Sequence, residues 1–140
     1  MSVRSHSAAW MLLIALAVVR CSTSSPLAPR NDAAPSFVGN RYTFHFNSGL
    51  QVEAYYASNK ELQWKALSGP SVGTSGTENI YAITLAPNQY FISWVESNGT
   101  TVSNVLNLST MKVVAFVTFP SGASRQAMTD EGTIHEIAAR

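Results

Sequence analysis

Short runs in which large apolar residues alternate with polar ones, each closed by a turn signal, most constrain what this chain can fold into. Tyr42-Thr-Phe44-His-Phe46, Leu50-Gln-Val52-Glu-Ala54-Tyr-Tyr56 and Glu61-Leu62-Gln-Trp64-Lys-Ala66 all follow this pattern. A strand sends successive side chains to opposite faces, so a period of two marks strands with one buried face. Asn47-Ser48-Gly49 and Ser58-Asn59-Lys60 separate the runs with turn residues, which makes them successive hairpins. Ser68 to Thr77 carries three glycines in ten residues and no period, so a loop is expected there. A fourth strand is predicted over Glu78 to Leu85, ending before Pro87, which lacks an amide donor. Tyr90 to Glu96 reads as a fifth strand, Ser97-Asn98-Gly99 as a hairpin turn, and Thr101 to Leu108 as a sixth strand. Met111 to Phe119 is nearly continuously apolar and is expected to be a seventh strand covered on both sides. Pro120 to Glu131 reads as a polar loop, and Gly132 to Ile137 as a short final strand.

Eight short strands without an amphipathic helix predict an all-β, antiparallel fold. An open sheet leaves edges that invite aggregation, and an eight-stranded barrel removes them. Such a barrel is just wide enough to be filled by side chains or to hold one small ligand. A sandwich satisfies the same periodicity.

The amino-terminal part of the 140 residues has a different character. A basic start, with Arg4, precedes an apolar run of twelve residues from Ala8 to Val19. That is the layout of a signal peptide, and a helix of about 18 Å falls short of the ~30 Å hydrocarbon core. Residues 1–24 are therefore expected to be a leader, cleaved between Cys21 and Ser25, and the protein secreted, or periplasmic in a bacterium. A lipid anchor on Cys21, the only cysteine, is disfavoured because Arg20 replaces the small residue such anchors require. Residues 25–36, rich in Ser, Pro, Ala and Asn, are expected to be a flexible linker, leaving 37–140 as the barrel domain. With a net charge of +1 and no basic stripe, nothing points to nucleic acid, and no membrane span is expected.

The chemistry is sparse. There is no glycine-rich phosphate loop and no nucleophile elbow. His45, between Phe44 and Phe46, is expected to face solvent, and no metal or cofactor site is indicated. Glu96 is the exception, because it continues the phase of Tyr90, Ile92 and Trp94. If that face points inward, its carboxylate sits beside an apolar wall with its pKa pushed upward. The other reading places it at the rim, hydrated or bonded to turn amides. Asn98 and Asn107 match the glycosylation acceptor pattern, Asn98 in the more exposed position.

Phe37-x-Gly39, Gly49, Ser68-Gly69, Ser93-Trp94-x-Glu96-x-x-Gly99-Thr100 and Phe119-Pro120 together resemble phenolic acid decarboxylases. More loosely, they resemble the calycin-like proteins grouped with the molybdenum cofactor biosynthesis protein F. The resemblance covers about eighty residues and implies a lipocalin-like (calycin) barrel. It places the decarboxylases' carboxylate-holding Tyr-x-Tyr pair on Phe44 and Phe46, and their arginine near Thr74; only the acidic residue persists, as Glu96. A pocket lacking those hydroxyls and that guanidinium has lost the groups that orient a carboxylate for loss of CO₂.

The functional expectation is a secreted barrel that binds a small apolar or aromatic molecule. Its expected lining is Tyr42, Phe44, Phe46, Trp64, Tyr90 and Trp94, with Glu96 contacting a polar group of the ligand. The alternatives are a diverged lyase using Glu96 as proton donor, and a filled barrel serving as a structural or interaction module.

Overall fold

Alternation in the sequence becomes pairing in the first hairpins of the computed structural model, which describes residues 34–137. The expected leader, and the expected linker up to residue 33, lie outside the described residues. Strands β1 (Arg41–Phe46), β2 (Gln51–Tyr56) and β3 (Glu61–Ala66) pair antiparallel with Tyr42 opposite Ala54, Phe44 opposite Val52, and Ala54 opposite Trp64. Apolar residues face apolar residues across each ladder, so all three strands turn the same phase inward.

The rest of the sheet comprises β4 (Ser75–Asn79), β5 (Tyr81–Ala86), β6 (Gln89–Val95), β7 (Thr101–Asn107), β8 (Lys112–Ser121) and β9 (Ser124–Ile137). All nine strands form one antiparallel sheet in the order β4-β3-β2-β1-β9-β8-β7-β6-β5. The two ends of that order, β4 and β5, are consecutive in the chain. One bent segment therefore supplies both edges, and β4 also approaches β6. The sheet curls into a nearly closed barrel rather than a sandwich. Among the described residues there is no helix, hence none long and apolar enough to cross a membrane.

Four sequence expectations are corrected. The predicted fourth strand, Glu78 to Leu85, is two strands that part at Ile80, which gives nine strands among the described residues rather than eight. Ile80 still points inward at 4% exposure, and its N–H bonds to Lys60 O at 2.9 Å, so the bend keeps its apolar phase. The expected loop from Ser68 to Thr77 correspondingly ends early, because Ser75–Thr77 pair with β3. Pro120 to Glu131, expected as a loop, forms the far arms of the β8–β9 hairpin around Gly122. Most of β9's arm is exposed on both faces, so its sequence carries no alternation. Pro120 is tolerated because β7 stops opposite Thr118 and leaves β8 an edge there. Finally, β8 is covered on one side only. Val113 and Ala115 are buried, while Val114 and Phe116 are 43% and 48% exposed. A single-layered barrel has nothing to place over its outer surface, and the outward row Ile83–Phe91–Val105–Val114 crosses β5 to β8.

The interior is filled at one end only. Phe37 plugs that end, its ring edge-on to Tyr56 at 5.0 Å and to Tyr90 at 4.9 Å. Tyr42, Leu62, Ile92, Leu106, Val113 and Ile134 pack around it, each no more than 2% exposed. Each large apolar side chain so buried contributes about 1.5–3 kcal/mol, which is how a domain without a disulfide holds together. Ser36 closes the seal, its N–H and Oγ lying 3.1 and 2.8 Å from the Tyr90 hydroxyl. The described residues thus begin just inside the segment expected as linker.

Candidate functional site

The opposite half of the barrel is open, with a cavity of about 620 Å³. That volume falls within the ~300–1,000 Å³ typical of small-molecule sites. Its apolar walls come from the inward phases of β1 to β3 and β6 to β8, including Phe44, Phe46, Leu62, Trp64, Trp94 and Phe119. Ala54, Ala66 and Ala115 also line it, and their small side chains create the space that larger residues would fill.

The expected lining residues therefore divide. Phe44, Phe46, Trp64, Trp94 and Glu96 meet around the cavity. Tyr42 and Tyr90 do not line it; they lie deeper, in the plugged end, at 2% and 5% exposure. Period two puts them on the correct face but does not say how far along the barrel the filling extends. Thr74, the position matched to the decarboxylases' arginine, lines the same cavity as Phe44, Phe46 and Glu96. The groups expected to have been replaced are thus brought together around one space. His45 is exposed, its ring 4.5 Å from that of His135.

Glu96 stands at the mouth, just past the end of β6. The turn behind it is held by Glu96 N–H to Thr100 O and Gly99 N–H to Glu96 O, both at 2.8 Å, and by Thr100 N–H to Asn98 Oδ1 at 2.7 Å. Gly99 occupies a positive φ of 83°, which its lack of a side chain permits. The carboxyl is held above its ordinary pKa. Burial is the main cause; the Trp94 N–H pulls the other way without completing a hydrogen bond, Glu78 adds to the rise, and the Asn98 amide, 3.5 Å away, opposes it. Asn98 is exposed at this mouth, whereas Asn107 is half-buried, with its Oδ1 accepting from Ser109 and Thr110 N–H at 3.1 and 3.0 Å.

Three polar residues of the wall were not found from the sequence. Glu78 points inward from β4 and accepts the Trp64 indole N–H at 3.2 Å. Gly76 makes that possible, because a Cβ there would come within 2.8 Å of Trp64 Nε1 and 2.6 Å of Glu78 Oε1. Asp130 points inward from β9, and Asn104 from β7 at 2% exposure, with no hydrogen-bond partner for its Oδ1 among the described residues. Asn104 and Asp130 flank Ala115 in one cross-strand row, so the small alanine leaves a gap between them. Stepping by two from apolar anchors would have found all three: Ile80 back to Glu78, Ile134 back to Asp130, and Val102 on to Asn104.

Among the described residues, no Lys, Arg or His lines the cavity. Arg125, the only arginine in the chain between Arg41 and the carboxyl-terminal Arg140, is engaged elsewhere. Its Nη2 donates to Thr118 Oγ1 at 2.7 Å, Gly99 O at 3.0 Å and Thr118 O at 3.2 Å, pinning the β6–β7 turn. Among the described residues, no group of three or more His, Cys, Asp or Glu is arranged to hold a metal ion. A smaller depression of about 330 Å³, polar and open, lies around Arg41, Glu53 and Lys65, and shares Trp64, Ser75, Gly76 and Thr77 with the wall of the larger cavity.

No curated protein matches the chain. Among solved structures it is similar to a Burkholderia vietnamiensis protein described provisionally as a beta-lactamase, with a TM-score of 0.67 and 21% identity over 75% of this chain and 99% of that one. At that identity the likeness is one of fold alone. The model of the MoaF-like family matches residues 38–135, from the turn before β1 almost to the end of β9. That match spans the whole barrel, and the chain therefore belongs to the MoaF-like family.

Proposed function

We propose that this protein binds a small, largely apolar or aromatic molecule in the open half of its barrel. One observation carries the reading: the barrel is plugged at one end and left open at the other, over a cavity of about 620 Å³ walled by aromatic side chains. A barrel serving only as a structural module would gain stability by filling that space, since an apolar void forfeits packing contacts. The missing hydroxyls at Phe44 and Phe46 weigh against a decarboxylase-like lyase.

The test is binding of N-phenyl-1-naphthylamine, which brightens in apolar surroundings. Saturable enhancement with quenching of Trp64 and Trp94 emission is expected, together with its loss in Val117→Trp, which fills the cavity. Enhancement that survives in Val117→Trp, or none in the native protein, rejects the reading. Consumption of hydroxycinnamates that stops in Glu96→Gln would point to the lyase instead. Export belongs to the same proposal, supported by Arg4 and the apolar run from Ala8 to Val19. Sequencing the amino terminus of the mature protein checks it, with a start between residues 22 and 25 expected.

A further inference from the structure

We infer that the ligand is an organic cation: an amine or ammonium group carried on an apolar or aromatic body. The inference rests on the binding reading above and adds the sign of the ligand's charge.

The cavity wall is charged in one sense only. Glu78, Glu96 and Asp130 line it, and among the described residues no cationic side chain does. The carboxylates stand on opposite walls. Glu78 and Glu96 flank the seam where β4 approaches β6, while β9, which carries Asp130, is fifth of nine in the strand order and so faces that seam. A molecule between them meets negative charge from both sides.

An independent observation points the same way. Asn104 is 2% exposed, lines the cavity, and has a buried Oδ1 with no partner among the described residues. A buried acceptor left empty is costly, and an N–H donor on a ligand satisfies it. Asp130 stands in the same cross-strand row, beyond the small Ala115, so an ammonium group bound at Asn104 has a carboxylate on the next strand but one.

The aromatic wall fits the same chemistry. Indole and phenyl faces attract cations, and more strongly where water is excluded. Trp64 is oriented by its bond to Glu78, and Trp94 stands beside Glu96. A carboxylate ligand would meet like charge on both walls, and among the described residues no guanidinium lines the cavity to hold it. The site is thus opposite in sign to one that binds a phenolic acid.

Calorimetry with the full chain at pH 8 and low salt tests this with three probes sharing one body: 2-naphthylmethylammonium, 2-naphthylmethanol and 2-naphthoate. The ammonium should bind at least about tenfold more tightly than the alcohol, and the naphthoate most weakly. Asp130→Asn and Glu78→Gln should each weaken the ammonium by roughly three- to tenfold while leaving the alcohol within about twofold. Added salt, which screens charge without altering the fold, should erode the preference in the native protein. Alcohol or naphthoate binding as tightly as the ammonium overturns the charge inference and leaves the binding reading standing. Ammonium affinity unchanged in both variants also overturns it. Failure of all three probes to bind overturns both.

Discussion

Replacing Asn104 with leucine should make the protein more stable and a poorer binder. The two side chains share a branched shape, and the strand neighbours of Asn104 are Ile92 and Ala115, both buried and apolar. The native Oδ1 is buried without a partner among the described residues, and such a group costs about 1–3 kcal/mol. Removing it should recover a stabilisation of that order, offset in part by the loss of any bond the amide nitrogen makes. For a domain of about a hundred residues, each kcal/mol moves the midpoint of thermal unfolding by about 4–8 °C. Melting followed by far-UV circular dichroism should therefore show a rise of several degrees in Asn104→Leu. Calorimetry should show weaker 2-naphthylmethylammonium binding, by about tenfold if one hydrogen bond to a charged donor is lost. A lower midpoint with unchanged binding would refute the reasoning, because it would mean that Oδ1 is satisfied within the folded protein.

Other substitutions probe different parts of the structure. Gly132→Ala should prevent correct assembly of β1 on β9, since a Cβ there would lie 2.4 Å from His45 O and 3.0 Å from Phe46 Cα; loss of the cooperative melt is expected, and a native-like melt would show that the ladder can spread. Gly76→Ala meets only the tips of Trp64 and Glu78, so it should leave the melt nearly unchanged while altering Trp emission and weakening probe binding several-fold. Glu96 holds its proton more tightly when folded than when unfolded, so it costs stability above its folded pKa and the cost fades as pH falls toward its ordinary value. Glu96→Gln should accordingly be the more stable protein at neutral pH, with the difference closing on acidification; a difference that grows on acidification would contradict the burial of that carboxyl.

How much of this could be read from sequence follows from where water lies. Strands β1 to β3 have one wet and one dry face, so Tyr42, Phe44, Trp64 and their neighbours alternate with polar residues and the hairpins are plain. The same phase carries Glu96 inward from Trp94. The β8–β9 arms lack that contrast, because residues such as Gln126 and Thr129 are wet on either face, and Asp130 went unnoticed among them. Glu78 was hidden differently: it follows a glycine-rich loop, and the strand carrying it changes neighbour at Ile80. Asn104 interrupts the apolar phase between Val102 and Leu106, yet a single polar residue in a strand does not reveal that its acceptor will be left open. The depth of the plug is a three-dimensional property, which is why Tyr42 and Tyr90 were expected in a lining they do not reach.

The most direct measurement is a crystal structure of the protein soaked with 2-naphthylmethylammonium. The expected result is the naphthyl ring between Trp64 and Trp94, with its nitrogen within hydrogen-bonding distance of Asn104 and Asp130 or of Glu78 and Glu96. A barrel whose open half is instead occupied by its own Phe46 and Trp64 side chains, with no room for the probe, would contradict the claim that this end of the fold is a binding site.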